Sequence, residues 1–399
     1  MVPRHDRRGF PLFDGLRALA AVAVVVYHAG PYAAAGSVEG VLAPYFARLN
    51  VGVAVFFAIS GFLLYRPMLA ARAGARDFSL GAYARRRFLR IVPAYWIALT
   101  VLMVFPGLPD MPSGRNWVYY LFAQDYSTYT AHSGIGPAWS LGCEVVYYAL
   151  LPFLSMAFAS AARRVGKRFR WRFELLAIGA LVAGSVVYRI IFVPDPTAGP
   201  PSTFQANFGW FAVGMVLAMA SVASEHQATR WLAGVARLAW LGWPAAAVAY
   251  FVLCQCAGTS PVLAVTSPES MSQQLAIYAL SGAVALGLTL PAAFQAIPRG
   301  AIGRLLSSRG LTWLGLISYG IYLYHVPIMI KLNQAVGGSG QPLGVLYVTA
   351  DAFVIAIAAA ALSYHLIERR ALRLRLKARG APGGISPASP AASSARPNT

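Results

Sequence analysis

Charge is what this chain has least of. Only 12% of its 399 residues are charged and just 13 are acidic, whereas 58% are apolar. A water-soluble globule carries about a quarter of charged residues, so that class is excluded. Cysteine is scarce too: Cys143, Cys254 and Cys256 form neither a disulfide framework nor a metal-ligand spacing, and they read as packed or lipid-facing thiols, with no metal expected. No connection is long enough for a second soluble domain, since the longest, near 67–90 and 109–142, run a few tens of residues. No internal repeat is evident, which weighs against a transporter built from two related halves. Nor is a cleavable leader, so the first apolar helix is expected to stay.

What the chain does have is ten long apolar stretches, near 14–34, 50–66, 91–108, 143–161, 174–193, 204–223, 238–257, 275–297, 311–332 and 343–367. A bilayer core about 30 Å thick takes roughly 20 residues of helix, and lipid leaves no place for open sheet edges. The expected fold is therefore all-α: a polytopic integral membrane bundle of about ten transmembrane helices over residues 1–372, its first partner the lipid bilayer. A basic and then disordered tail, rich in Gly, Pro, Ser and Ala, is expected over 373–399.

The formal net charge of +20 invites a nucleic-acid reading, but its distribution argues otherwise. Of the 33 basic residues, 28 fall in the N-terminal arm, the even-numbered connections and the tail, while the opposite loops hold only Arg48 and Arg115. That is the positive-inside pattern of a multi-pass protein with both termini in the cytoplasm. The expected location is the cell (inner) membrane, and no nucleic-acid partner is expected.

Ionisable side chains inside a span cost at least ~2.5 kcal/mol each on insertion scales, so each is a functional candidate. Arg17, His28, Glu144, His325 and Asp351 qualify. Arg17 and His28 lie eleven residues apart on the first helix, within about 20° of three full turns, so they share a face with a rise of roughly 16 Å between them. Glu144, at the expected start of the fourth helix, should lie at a depth similar to that of His28. A contact between the two would suit a general base, because a carboxylate fixes the imidazole tautomer; a buried pair that merely joins two helices is the other reading. His325, among aromatics, reads as a hydrogen-bonded packing residue, and Asp351 as a structural partner of His325 or Arg189. Arg87 and Arg90 stand just before the third helix, three residues apart. They could share a face and grip phosphate oxygens, or serve as a topology signal or lipid contact.

Several segments together resemble the integral-membrane acyltransferase family type 3, bacterial enzymes that O-acylate surface sugars and related acceptors. FDGLRALAAVAVVVYHAG is similar to the family's opening, with Asp14, Gly15, Arg17 and His28; VGVAVFFAISGFLLYRP resembles its glycine, double-phenylalanine and Ser-Gly-Phe pattern. RRRFLRIVPAYW matches its Arg-x-x-Arg segment at Arg87 and Arg90, and PAWSLGCEVVYYALLP its Trp-Ser-Leu-x-x-Glu segment at Trp139, Ser140 and Glu144. LGLISYGIYLYHVPIM and SYHLIERRAL resemble its last two helices, so the likeness runs from about 13 to 372. Many members carry a second glutamate where this chain has Val145, which tells against a two-carboxylate mechanism. Some carry a fused esterase-like domain, and this chain is expected to act with the membrane domain alone.

The resemblance implies transfer of an acyl group, usually acetyl, from cytoplasmic acyl-CoA to a hydroxyl of a carbohydrate or glycosylated small-molecule acceptor. His28 would be the general base or a transient acyl carrier, Glu144 its orienting carboxylate, and Arg17 a stabiliser of the thioester or oxyanion. Arg87 and Arg90 would hold the phosphates of acetyl-CoA. A proton-coupled secondary transporter is the rival from another class, and a macrolide-like metabolite the alternative acceptor.

Overall fold

Apolar runs of about 20 residues separated by glycine, proline and basic clusters leave the backbone one economical choice, the helix, which satisfies its hydrogen bonds internally. The computed structural model describes residues 10–33, 42–74, 77–108, 111, 114–127, 130–131, 133–166, 169–192, 202–225, 230–256, 270–294, 300–335 and 342–370. Ten long helices result: α1 Leu12–Ala33, α2 Gly52–Arg72, α3 Leu80–Val104, α4 Trp139–Arg164, α5 Arg170–Phe192, α6 Phe204–Glu225, α7 Gly242–Cys256, α8 Met271–Phe294, α9 Arg309–Ala335 and α10 Pro342–Ser363. Ten candidate membrane spans coincide with them, some lengthened by short flanking helices, and no strand occurs among the described residues. The chain is a multi-pass membrane protein. Arg4, Arg7, Arg8, Lys167, Arg168, Arg299 and the 373–399 tail lie outside the described residues.

The third helix begins well before the expected 91. Ser79 caps it, its hydroxyl accepting from the Ala82 N–H at 3.3 Å, and the Ala- and Arg-rich segment that follows has high helix propensity. Hydropathy marked only the lipid-matched part of this helix. Arg85, Arg86, Arg87 and Arg90 are therefore inside α3, not in a connection before it. Gly107, at φ 93°, closes the other end by donating its N–H to the Leu102 carbonyl at 3.0 Å.

The span that looks weakest in sequence lies at the centre. The window containing α2 is 78% buried, against 17% for α5 at the periphery. Its glycines explain this. Gly61 faces the Phe211 backbone of α6, and Gly214 of α6 faces the Ala58 carbonyl and Phe62 N–H of α2, so the two backbones touch where any Cβ would collide. Close approach through small residues is the main packing device available in lipid, where helix association gains little from the hydrophobic effect. Aromatic rings fill the rest: Phe57 stacks on Phe211 at 4.3 Å, and Tyr147 of α4 stacks on Phe211 at 4.3 Å. On the other side Gly315 of α9 abuts the Asp14 backbone of α1, which brings the helix of His28 against the helix of His325.

Candidate functional site

Four helices, α1, α2, α4 and α9, supply a row of polar side chains along the bundle interior. On α4, Ser140, Glu144 and Tyr148 recur every four residues, nearly one face of a helix. Glu144 has both oxygens occupied: Oε1 accepts from the Ser60 hydroxyl of α2 at 2.7 Å, and Oε2 from the Tyr148 hydroxyl at 2.7 Å. One turn away, Ser140 shares a 2.7 Å hydrogen bond with Tyr322 of α9, and the Pro137 carbonyl accepts from the same pair at 3.2 and 3.0 Å. The Tyr322 ring is 5.8 Å from the His325 ring, and it meets Phe56, a turn from Ser60, at 6.1 Å. His325 Nε2 then lies 3.1 Å from His28 Nδ1.

The opposite end of the row is basic. The Arg87 guanidinium sits over the Tyr148 ring, 5.5 Å from its centre. Arg87 interacts electrostatically with Tyr148, Arg90, Tyr83 and Glu144, and Arg17 with Arg90, Asp14, Tyr148 and Glu144. Arg17 also forms an ion pair with Asp14 at 3.6 Å. Tyr83 holds α3 against α4 by donating to the Tyr148 carbonyl at 3.0 Å, and Tyr319 of α9 donates to the Ile91 carbonyl of α3 at 3.0 Å. Arg90 reaches the field of Glu368, at the end of the π-turn Tyr364–Glu368 that follows α10. The first turns of α1, the start of α3 and the end of α10 thus converge on one cluster of three arginines. Within it the Nε–H of Arg87 is buried and has no partner among the described residues.

The five sequence-predicted site residues therefore divide in two. Arg17, Arg87, Arg90 and Glu144 come together; His28 stands apart, with the Val24 carbonyl at 2.9 Å and His325 as partners. The expected contact between Glu144 and His28 does not form. α4 begins at Trp139, four residues before the expected 143, so Glu144 lies about 6 Å further along its helix, and it falls in the field of Arg17 and Arg87. Asp351 pairs with neither expected partner. It is exposed on α10, while Arg189 is held by the Ala206 carbonyl at 2.6 Å, Asn207 at 2.9 Å and the Tyr278 ring at 4.0 Å. Cys143 and Cys254 are buried thiols and Cys256 is exposed.

Sequence reasoning gave no functional role to Ser60, Tyr148, Tyr322, His325 and Glu368. The signal was present as period: Ser140, Glu144 and Tyr148 four apart, Tyr319, Tyr322 and His325 three apart, each set on one helix face. Among the described residues no group of three or more His, Cys, Asp or Glu side chains is placed to hold a metal ion.

Buried ionisable groups gathered into one row, rather than scattered among ten spans, define an integral membrane protein with a polar interior site. The chain belongs to the type 3 membrane acyltransferase family, whose acyltransferase-domain model matches residues 11–365. Among similar curated proteins are the peptidoglycan O-acetyltransferase OatA of Listeria monocytogenes, 25% identical over 395 residues, and the putative peptidoglycan O-acetyltransferase YrhL of Bacillus subtilis, 26% identical over 388. The alignments cover 92% of this chain in both cases, but only 56% and 55% of those proteins, so the chain spans about half the length of these relatives. Nodulation protein 10 of Rhizobium leguminosarum bv. viciae is 28% identical over 403 residues, covering 91% of this chain and 93% of that protein. No solved structure matches the chain.

Proposed function

We propose that this chain is an O-acetyltransferase that takes acetyl from acetyl-CoA on the cytoplasmic side and delivers it to a hydroxyl of a carbohydrate-type acceptor at the other end of the bundle. The observation that carries this reading is a set of buried polar side chains lying between two chemically different ends: three arginines at one, an imidazole pair at the other. Arg87 and Arg90, one turn apart on α3, suit the phosphates of the donor, and the buried, unpartnered Nε–H of Arg87 is a charged donor awaiting an anion. The names of the two O-acetyltransferase relatives support acetyl as the group and a glycan as the acceptor. Both ends of the chain are assigned to the cytoplasm on the charge distribution of the connections.

In this reading the acceptor hydroxyl gives its proton to His28 while its oxygen attacks the thioester carbonyl; the tetrahedral oxyanion collapses, expelling coenzyme A as thiolate, and the ester remains on the acceptor. Proton removal by a positioned base is worth about 10²- to 10⁴-fold. Glu144 acts one step removed: it holds Ser60 and Tyr148 in place and offsets the charge of Arg17 and Arg87, and Arg17, a rise of roughly 16 Å from His28 along α1, serves with the donor-holding arginines and not at the reacting carbonyl. Membranes containing the protein, given acetyl-CoA labelled in the acetyl group and a glycan acceptor, should yield alkali-labile labelled O-acetyl esters. Transport of an intact solute with no consumption of acetyl-CoA would overturn the proposal.

A further inference from the structure

The His28–His325 contact fixes where the protons are. His325 is fully buried, and its Nδ1 faces two acceptors on its own helix, the Ile321 carbonyl at 3.1 Å and the Tyr322 carbonyl at 2.9 Å. A carbonyl cannot donate, so the hydrogen is on His325 Nδ1 and, in the neutral ring, Nε2 carries the lone pair. That lone pair is aimed at His28 Nδ1, 3.1 Å away. His28 Nδ1 in turn faces the Val24 carbonyl at 2.9 Å, which also requires a hydrogen there. Both constraints agree: His28 Nδ1–H donates to the Val24 carbonyl and to His325 Nε2, and the lone pair of His28 is left on Nε2.

We infer that His325 is the positioning residue for His28, locking the tautomer that presents Nε2 as a base, the task the sequence assigned to Glu144. A second histidine serves where a carboxylate was expected because its own orientation is set by two backbone carbonyls and by Tyr322, whose hydroxyl is pinned to Ser140. The pair therefore needs no buried counter-charge. The catalytic consequence rests on the proposed acetyl transfer, whereas the tautomer does not.

Two measurements on the full chain in detergent separate these. In ¹⁵N-histidine-labelled protein, with a His28→Asn spectrum to assign the signal, His28 should be protonated at Nδ1, and in His325→Leu the signal should shift toward a mixture of tautomers. In acetyl-CoA turnover, His325→Leu should lower kcat about 100-fold while KM for acetyl-CoA stays within about twofold. His325→Gln, whose side-chain oxygen can accept from His28 Nδ1–H, should recover at least a tenth of the wild-type kcat. If His325→Leu does not accumulate, the Gln variant decides: activity within tenfold of wild type supports the assignment, and activity as low as that of His28→Ala overturns it. A wild-type His28 protonated at Nε2, or a tautomer unchanged in His325→Leu, overturns it as well. A wild-type protein without acetyl transfer but with the expected tautomer would fail the proposed function alone.

Discussion

Ser60 of α2 donates a 2.7 Å hydrogen bond to Glu144 of α4, tying the Ser-Gly-Phe segment to the Trp-Ser-Leu-x-x-Glu segment across 84 positions of sequence. The bond puts the carboxylate on the central helix of the bundle, between the arginine cluster and the histidine pair. A hydrogen bond to a charged group is worth about 1.5–3 kcal/mol net. Ser60→Ala should therefore lower the detergent-solution Tm by several degrees and cut acetyl transfer about tenfold, whereas Glu144→Gln should cut transfer further with the protein still in the membrane. A Ser60→Ala protein equal to wild type in both respects would deny the bond its importance.

At the donor end, Arg87→Lys keeps the charge and loses the planar fork. KM for acetyl-CoA should rise about tenfold, equivalent to 1.4 kcal/mol of binding, with kcat at saturation close to wild type. Arg90→Lys should act in the same direction. Exposed Arg85, two residues from Arg87 and so on the far side of the helix, gives the control. Equal KM values for all three variants would show that the cluster does not hold the donor.

Much of this was legible in the sequence. The ten spans followed from length and apolar composition because lipid imposes one secondary structure, whereas the meeting of Glu144 with Arg17 and Arg87 did not follow, since the sequence placed Glu144 beside His28. What could not be read was depth and partnership. Hydropathy locates the lipid-matched part of a helix, not its ends, so α3 and α4 both begin earlier than expected, and Glu144 lies in the field of Arg17 and Arg87, not beside His28. The partnership of His28 with His325 spans 297 positions and depends on α1 and α9 meeting at Gly315, which no local periodicity encodes.

The α2–α6 interface makes a prediction about assembly rather than chemistry. Gly214→Val would drive a branched side chain into the Ala58 and Phe62 backbone of α2. Overpacking of this kind costs about 1–3 kcal/mol, and more where backbone must move. The variant should lose monodisperse behaviour in mild detergent, while Gly179→Val on α5, where a Cβ meets open space, should not.

Asp125, in the connection between α3 and α4, offers a pH test. It is 5% exposed, and burial pushes its carboxyl well above the usual carboxylate range. Its Oδ1 has no partner among the described residues. A carboxyl that binds its proton more tightly folded than unfolded stabilises the fold fully below the unfolded pKa of about 3.9. That stability is lost as pH rises through the higher folded value. The Tm should accordingly fall as pH rises above the unfolded carboxylate value of about 3.9, and Asp125→Asn should flatten that fall. An unchanged slope would mean that another group sets it.

In the proposed reaction, chemistry occurs at His28, at the far end of a polar row from the arginines. The most direct test is the rate of labelled acetyl transfer by purified His28→Ala protein in proteoliposomes, compared with wild type at saturating acetyl-CoA. The rate should fall at least about 100-fold, with KM for acetyl-CoA and elution on size exclusion unchanged. Transfer by His28→Ala at the wild-type rate would contradict the proposed reaction.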